Sequence, residues 1–312
     1  MERTGRLVDT GPAPGPFTAA LDEAIARARA SGSVPDTLHF YSRRPPAVTI
    51  GYSLDAAQEV NLDYCRARGI DVVRRLSGGG AIYTDERQLV YSLTTQNLLP
   101  SSVEASLRVV CTALAEGISA LGVRAEFSPV NDVIVNGRKV SGSAQMRKWG
   151  VVLTHGTIIV DADPAEMFRA LRVPREKLER HSLCAPESRV TSLRAELGRA
   201  PPMEEVKAAL RDALERALGV RFAPGRATPA EVELAAELVR TRYGRPEWNI
   251  GLRQRSGEGM EGIESGSRGS ECSVTPSCSM EGPKANPELM GETEDGEDGN
   301  GHEGRDGGRR GG

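Results

Sequence analysis

The sequence predicts a single α+β domain followed by a low-complexity tail. Three observations predict this. Apolar runs of two-residue period come mostly in pairs, without the strict βαβ alternation of a doubly wound sheet. Several longer stretches repeat with helical period. Composition also changes abruptly after Trp248: from Leu252 onwards there is no aromatic residue, and 15 of the chain's 35 glycines fall there among Ser, Glu, Asp and Arg. Such a segment cannot bury enough apolar surface to offset its ordering entropy. Residues 1–251 therefore read as the folded domain and 252–312 as a disordered Gly/Ser/Glu-rich tail.

The elements follow in order. Leu21, Ile25 and Ala28 share one face of an early helix over Phe17–Ala30. Leu38–Tyr41 and Ala47–Ile50 are short apolar strands. Asn61 opens a short helix that runs to Arg68 and stops at Gly69. Asp71–Arg75 and Gln88–Thr94 read as strands flanking a glycine-rich turn. Val103–Leu121 is a helix closed by Gly122. A hairpin and a long apolar strand, Val151–Val160, come next, and helices over Met203–Leu218 and Pro229–Tyr243 finish the domain.

Bulk properties narrow the function. With 312 residues, 38% hydrophobic and 27% charged, the chain has ordinary soluble composition. A net charge of −3 and pI near 6.0 supply no general pull towards phosphate backbones, so no nucleic-acid partner is expected. Neither an apolar signal region nor a run long enough for a bilayer is visible, which predicts a cytoplasmic protein with no membrane partner. The five cysteines are scattered and odd in number, as suits reduced thiols. Cys65 and Cys111 fall on amphipathic helices and read as core. Cys184 reads as a free thiol off any helix. Cys272 and Cys278 have only the lone His302 nearby and do not make a metal site.

Two stretches carry chemistry. In Asp132-Val-Ile-Val-Asn-Gly-Arg-Lys-Val-Ser-Gly142, the Asn136-Gly137 pair between β-formers predicts a two-residue hairpin turn. Val135 then faces Arg138, and Ile134 faces Lys139. Strict alternation puts Asp132, Ile134, Lys139, Ser141 and Ser143 on one face and Val133, Val135 and Val140 on the other. That face gathers an ammonium, a carboxylate and hydroxyls, which suits a site where negative charge develops on oxygen. The second stretch is Arg74-Arg75-Leu76-Ser77-Gly78-Gly79-Gly80-Ala81. Three glycines let backbone N–H groups approach an anion closely, and two arginines precede them. Neither stretch is a P-loop, because no Lys-Ser or Lys-Thr follows a glycine, and no dinucleotide fingerprint is present.

Together these pieces resemble the lipoate–protein ligase A family. The resemblance rests on Arg74 to Ala81, on Asn131-Asp132, on Gly137 to Gln145, on His155-Gly156-Thr157 and on Val190 to Leu193, all in the family's order. It implies a mixed, largely antiparallel sheet flanked by helices, of the class II synthetase and biotin-ligase type. It implies an ATP-dependent lipoate–protein ligase that forms lipoyl-AMP and passes the acyl group to a lysine of a lipoyl carrier domain. That carrier would be glycine cleavage H protein or the acyltransferase subunit of a 2-oxoacid dehydrogenase. Lys139 is then the catalytic cation. Arg74, Arg75, Ser77, Gly78, Gly79, Gly80, Ala81, Asn131, Asp132, Ser141, Gly142, His155, Gly156 and Thr157 are expected to bind ATP and lipoate, with Asp132 as a possible Mg ligand. The tail stands where single-chain ligases carry an accessory domain, so a separate small accessory subunit is expected, as in bipartite ligases. A cysteine-dependent octanoyl or lipoyl transferase on the same scaffold is the alternative, and a non-catalytic acyl-binding relative a further one. Thr84 and Thr154 stand where many ligases carry histidine.

Overall fold

A computed structural model describes residues 3–172 and 189–251. The expectations for the tail, Cys184, Cys272 and Cys278 lie outside the described residues. The main sheet has eight strands in the order β11-β1-β2-β6-β10-β9-β8-β7. They are β1 (Arg3–Ala13), β2 (Thr37–Arg43), β6 (Leu89–Thr95), β7 (Ala125–Ser128), β8 (Asp132–Val135), β9 (Arg138–Lys148), β10 (Val151–Ile158) and β11 (Val220–Gly225). Pairing is antiparallel from β2 to β7 and parallel at β11-β1-β2, so the sheet is mixed and largely antiparallel, as expected. A second sheet, β4-β3-β5, comprises β3 (Ala47–Ile50), β4 (Asp71–Arg74) and β5 (Ile82–Thr84). The glycine turn joins β4 to β5, both in the small sheet, and the expected strand over Gln88–Thr94 is the next one, β6 of the large sheet.

Strand alternation sorts the side chains into two layers. On one face Leu38, Phe40, Leu89, Tyr91, Leu93, Val133 and Val140 pack against α4 (Val103–Ser119) and the helix Met203–Leu218, through Val110, Leu114, Ile118, Val206 and Leu210. All are buried, and trimming one such leucine to alanine costs about 2–5 kcal/mol. The opposite face carries α1 (Gly15–Ala30) and the helix Pro229–Leu238, joined through Leu21, Ile25, Ala235, Leu238 and Tyr243. The expected last helix continues as a π-helical turn over Val239–Tyr243. There Tyr243 and Arg242 donate to Glu23 of α1 at 2.6 and 2.8 Å, which ties this turn to α1.

The hairpin forms as its turn residues dictate, with φ of 50° at Asn136 and 73° at Gly137. Ile134 faces Lys139 and Val135 faces Arg138. Beyond that pair a β-bulge shifts the register, so Val133 faces Ser141 and Asp132 faces Gly142. Strict alternation therefore fails at one residue. Val140 and Ser141 are both buried, and Ser143 joins the α4 face, where its Oγ lies 2.7 Å from the Tyr91 hydroxyl. Ser141 is displaced from the face of Lys139 on which it was expected.

Candidate active site

A pocket of about 320 Å³ lies on the α1 side of the large sheet, roofed by the glycine turn. Its floor crosses four strands. Tyr41 and Arg43 come from β2, Val90 from β6, Leu153, His155 and Thr157 from β10, and Gly142, Ala144 and Met146 from β9. Three inter-strand steps of ~4.8 Å set its ends about 14 Å apart, from Lys139 on β9 to Arg43 on β2. Its middle is apolar, which suits a hydrocarbon chain.

At the β9 end the Lys139 ammonium sits 2.7 Å from Asp132 Oδ1, with both side chains about a third exposed. The lysine can fold back only because position 142 is glycine: a β-carbon there would lie 2.5 Å from Nζ. Asn131 also lines this end, and its Nδ2 donates to the Ser143 carbonyl, fixing the chain entering β8 against β9. The segment after residue 188 docks here too. Thr191 N donates to the Lys139 carbonyl at 2.8 Å, and Val190 bridges to Lys139 as a parallel neighbour.

The roof is held by Arg75. Its Nε donates to Ser77 Oγ, its Nη1 to the Thr49 carbonyl, and its Nη2 to the Gly78 and Gly80 carbonyls. Burial lowers its pKa to about 10, still charged at neutral pH. Ser77 Oγ lies 2.6 Å from His155 Nε2, and His155 Nδ1 lies 3.6 Å from Asp22 Oδ2. Asp22 also accepts from His39 Nδ1 at 2.9 Å and from the Tyr41 hydroxyl at 3.0 Å, while Thr10 Oγ1 caps His39 Nε2 at 2.7 Å. Burial alone would raise the Asp22 pKa. The His155 and His39 donations outweigh it and hold the carboxyl far below the usual carboxylate range. Burial also lowers the His155 pKa, so its ring is neutral at pH 7. With the His155 Nδ1 proton directed at Asp22, Nε2 of the neutral ring is an acceptor, so Ser77 donates to His155. A polar network of six side chains thus pins the glycine turn to the sheet.

The expected residues divide. Arg75, Gly79, Gly80, Ala81, Asn131, Lys139, Gly142, His155, Gly156 and Thr157 line the pocket. Asp132 acts on it through Lys139, and Ser77 through His155. Gly78 meets Arg75 by its carbonyl rather than lining the cavity. Arg74 lies outside: it is wholly buried and donates to the carbonyls of Gly51, Tyr52, Leu54, Trp248 and Asn249. Its guanidinium staples the turn after β3 to the domain's C-terminal end. Asp22, His39, Tyr41 and Arg43 were not anticipated. The adjacency of Asp22 and Glu23 inside a helix otherwise rich in alanine is the signal that was available. Asp132 does not suit a protein-held Mg ion. It is a lone carboxylate already paired with an ammonium, and no cluster of three His, Cys, Asp or Glu groups occurs among the described residues.

Residues 14–215, well over half of the chain, match the lipoyl protein ligase A/B catalytic domain family. The chain belongs to that family. Its fold is that of lipoate–protein ligase A: a structure of that enzyme bound with ATP superposes with a TM-score of 0.70 at 29% identity, covering 80% of this chain and 99% of the other. A structure described as a bipartite lipoate protein ligase and its E2 lipoyl domain from Thermoplasma acidophilum gives a TM-score of 0.70 at 29% identity over 82% of this chain and all of that one. Among curated relatives, octanoyltransferase LipM of Symbiobacterium thermophilum is 38% identical over 80% of this chain and 99% of its own length. Octanoyltransferase LipM of Kyrpidia tusciae is 35% identical over 79% and 98%.

These relatives correct the functional expectation. The ATP-dependent ligase reading gives way, since curated relatives down to 27% identity are octanoyltransferases. The physical reason is that a glycine turn and a lysine hairpin suit charge developing on a carbonyl oxygen whether its leaving group is a phosphate or a thiol. Those motifs identify the scaffold and its acyl end, and they do not report the leaving group. What stands is an enzyme of the lipoate and biotin ligase superfamily concerned with lipoylation. No helix among the described residues is long and apolar enough to cross a membrane.

Proposed function

We propose that this chain transfers an octanoyl group from a carrier-bound thioester to the ε-amine of a lysine on a lipoyl carrier domain. The observation that carries the reading is the pocket itself: an apolar slot about 14 Å long that ends at the Lys139 ammonium, in a chain whose curated relatives are octanoyltransferases. Acyl donation needs no nucleotide, because the thioester is already activated. A nucleophile adds to its carbonyl, the C–S bond breaks, and the thiol leaves with a proton. Attack by the acceptor amine then forms the amide and releases the enzyme nucleophile. Lys139, held by Asp132 over Gly142, faces the carbonyl oxygen and stabilises the charge of each tetrahedral intermediate. The E2 lipoyl domain named with the Thermoplasma ligase supports a lipoyl domain as acceptor.

The thiol of the cysteine-dependent form is assigned to Cys184 by elimination. Cys65 and Cys111 are buried, and burial pushes both thiols up to about 11, so neither supplies thiolate at neutral pH. Cys272 and Cys278 fall beyond the family match, which ends at residue 215, whereas Cys184 falls within it. The flanking residues Leu171 and Val190 both line the pocket. The test supplies an octanoyl-thioester carrier and a lipoyl domain in nucleotide-free buffer. Wild type octanoylates the lipoyl lysine, and Cys184→Ser does not. Octanoylation that appears only on addition of ATP refutes the reading.

A further inference from the structure

The β2 end of the pocket is not built like the end of a plain hydrocarbon slot. Arg43 closes it. The side chain is 5% exposed and its guanidinium lies 5.6 Å from the centre of the Tyr41 ring. Its Nε and Nη1 are buried and make no hydrogen bond, and it forms no ion pair with any described carboxylate. The other buried or pocket-lining arginines are spent within the fold: Arg6 on Glu231, Arg74 on five carbonyls, Arg75 on the glycine turn. The nearby carboxylate Asp22 is occupied by two histidines and Tyr41. Asp71, which feels the Arg43 charge, accepts from Gly15 N. Thr49 and Thr84 line the pocket at the same end. A buried cation with free donors calls for an acceptor, and an anion satisfies it best.

We infer that this end of the pocket binds a carboxylate at the ω end of a medium-chain acyl group, with Arg43 as its donor. The substrate class is the half-thioester of a medium-chain dicarboxylic acid, taken in addition to octanoyl. The inference rests on the proposed reading in one respect, that Lys139 marks the reacting end. An acyl carbonyl at Lys139 and a carboxylate at Arg43 would span the slot, with the methylene chain over the neighbouring row of Val90, Thr157 and Gly142.

Binding and transfer are measured separately. Calorimetry with octanedioate and octanoate on the full chain should show octanedioate bound about 10- to 100-fold more tightly, the range for a hydrogen-bonded charged pair. In Arg43→Met that ratio should collapse towards one, with octanoate affinity kept. Arg43→Lys, which preserves charge without the fork, should lie between, and it carries the test if the methionine variant fails to fold. An unchanged ratio in the variants, or a wild type that favours octanoate, overturns the inference. Competition between octanoyl and 7-carboxyheptanoyl thioesters, the latter the half-thioester of octanedioate, distinguishes it from the reading beneath it. Loss of discrimination in Arg43→Met with no transfer from either thioester refutes only the transferase. Transfer of octanoyl alone, with 7-carboxyheptanoyl refused by wild type, refutes only this inference.

Discussion

Replacing Asp22 by asparagine probes the polar chain beneath the glycine turn at its most connected point. The carboxylate is 4% exposed and accepts from His39 Nδ1 at 2.9 Å and Tyr41 Oη at 3.0 Å, with His155 Nδ1 at 3.6 Å. Asparagine keeps one oxygen and turns an NH₂ towards a donor. At least one histidine must then flip its tautomer or lose its partner, and a flipped His155 presents Nε2–H to a Ser77 oxygen already accepting from Arg75. Hydrogen bonds to a charged group contribute about 1.5–3 kcal/mol, and a buried donor left unpaired costs ~1–3 kcal/mol. A net loss of about 2–4 kcal/mol follows, or roughly 5–15 °C in Tm for a domain of this size. The loss also depends on pH in a defined sense. A depressed carboxyl pKa contributes stability that is complete above the unfolded value, near pH 4, and is lost as pH falls towards the folded one. Urea unfolding of both proteins from pH 3 to 8 measures it, with the gap widest at neutral pH and narrowing in acid. A gap under about 0.5 kcal/mol at pH 7, the scatter of a neutral surface change, would refute the network.

Three further outcomes are expected. Lys139→Met should lower octanoyl transfer about 10²–10³-fold, the loss typical of one charge-stabilising donor, with stability changed by under ~1 kcal/mol because the ion pair is a third exposed; Gly142→Ala should act in the same direction by displacing the ammonium. Arg74→Met should cost about 3–5 kcal/mol by urea unfolding, leaving turnover per folded molecule intact, since its guanidinium faces carbonyls outside the pocket. His155 has a lowered pKa, so its neutral form favours folding at neutral pH and that contribution falls away as pH drops below about 6.5. His155→Gln should flatten the stability profile between pH 5 and 7.

Local chemistry made much of this fold legible. Asn136-Gly137 set a hairpin whose first two cross-strand pairs follow from turn geometry alone, and Asn61 and Gly69 bracket a helix because each satisfies an orphaned end. The helix Met203–Leu218 also ends where its glycine says it must. Legibility stopped where distant contacts decide. The bulge at Val140 arises because Val140 and Ser141 both turn towards α4, and nothing in the local pattern forces it. The strand Arg3–Ala13 carries Gly5, Gly11 and Pro12 and looks like a loop. It forms through parallel pairing with β2 and β11, partners remote in sequence. At the site, the acyl end was readable because Lys139 and the glycines sit in compact motifs. Asp22, His39 and Arg43 were not, since a buried acid on a helix and an arginine before a Pro-Pro pair look like surface residues until the sheet closes over them. Arg74 failed for the converse reason: its neighbour Arg75 alternates to the pocket side, while Arg74 points at the backbone it supports.

The transferase claim is tested most directly by letting two acyl sources compete in one tube. Enzyme and lipoyl domain receive an unlabelled octanoyl-thioester carrier together with deuterated free octanoate, ATP and Mg, and the modified lysine is weighed by mass spectrometry. Unlabelled octanoyl on the lysine is the predicted product; deuterated octanoyl would show that the acyl group came by way of nucleotide activation and contradict the account.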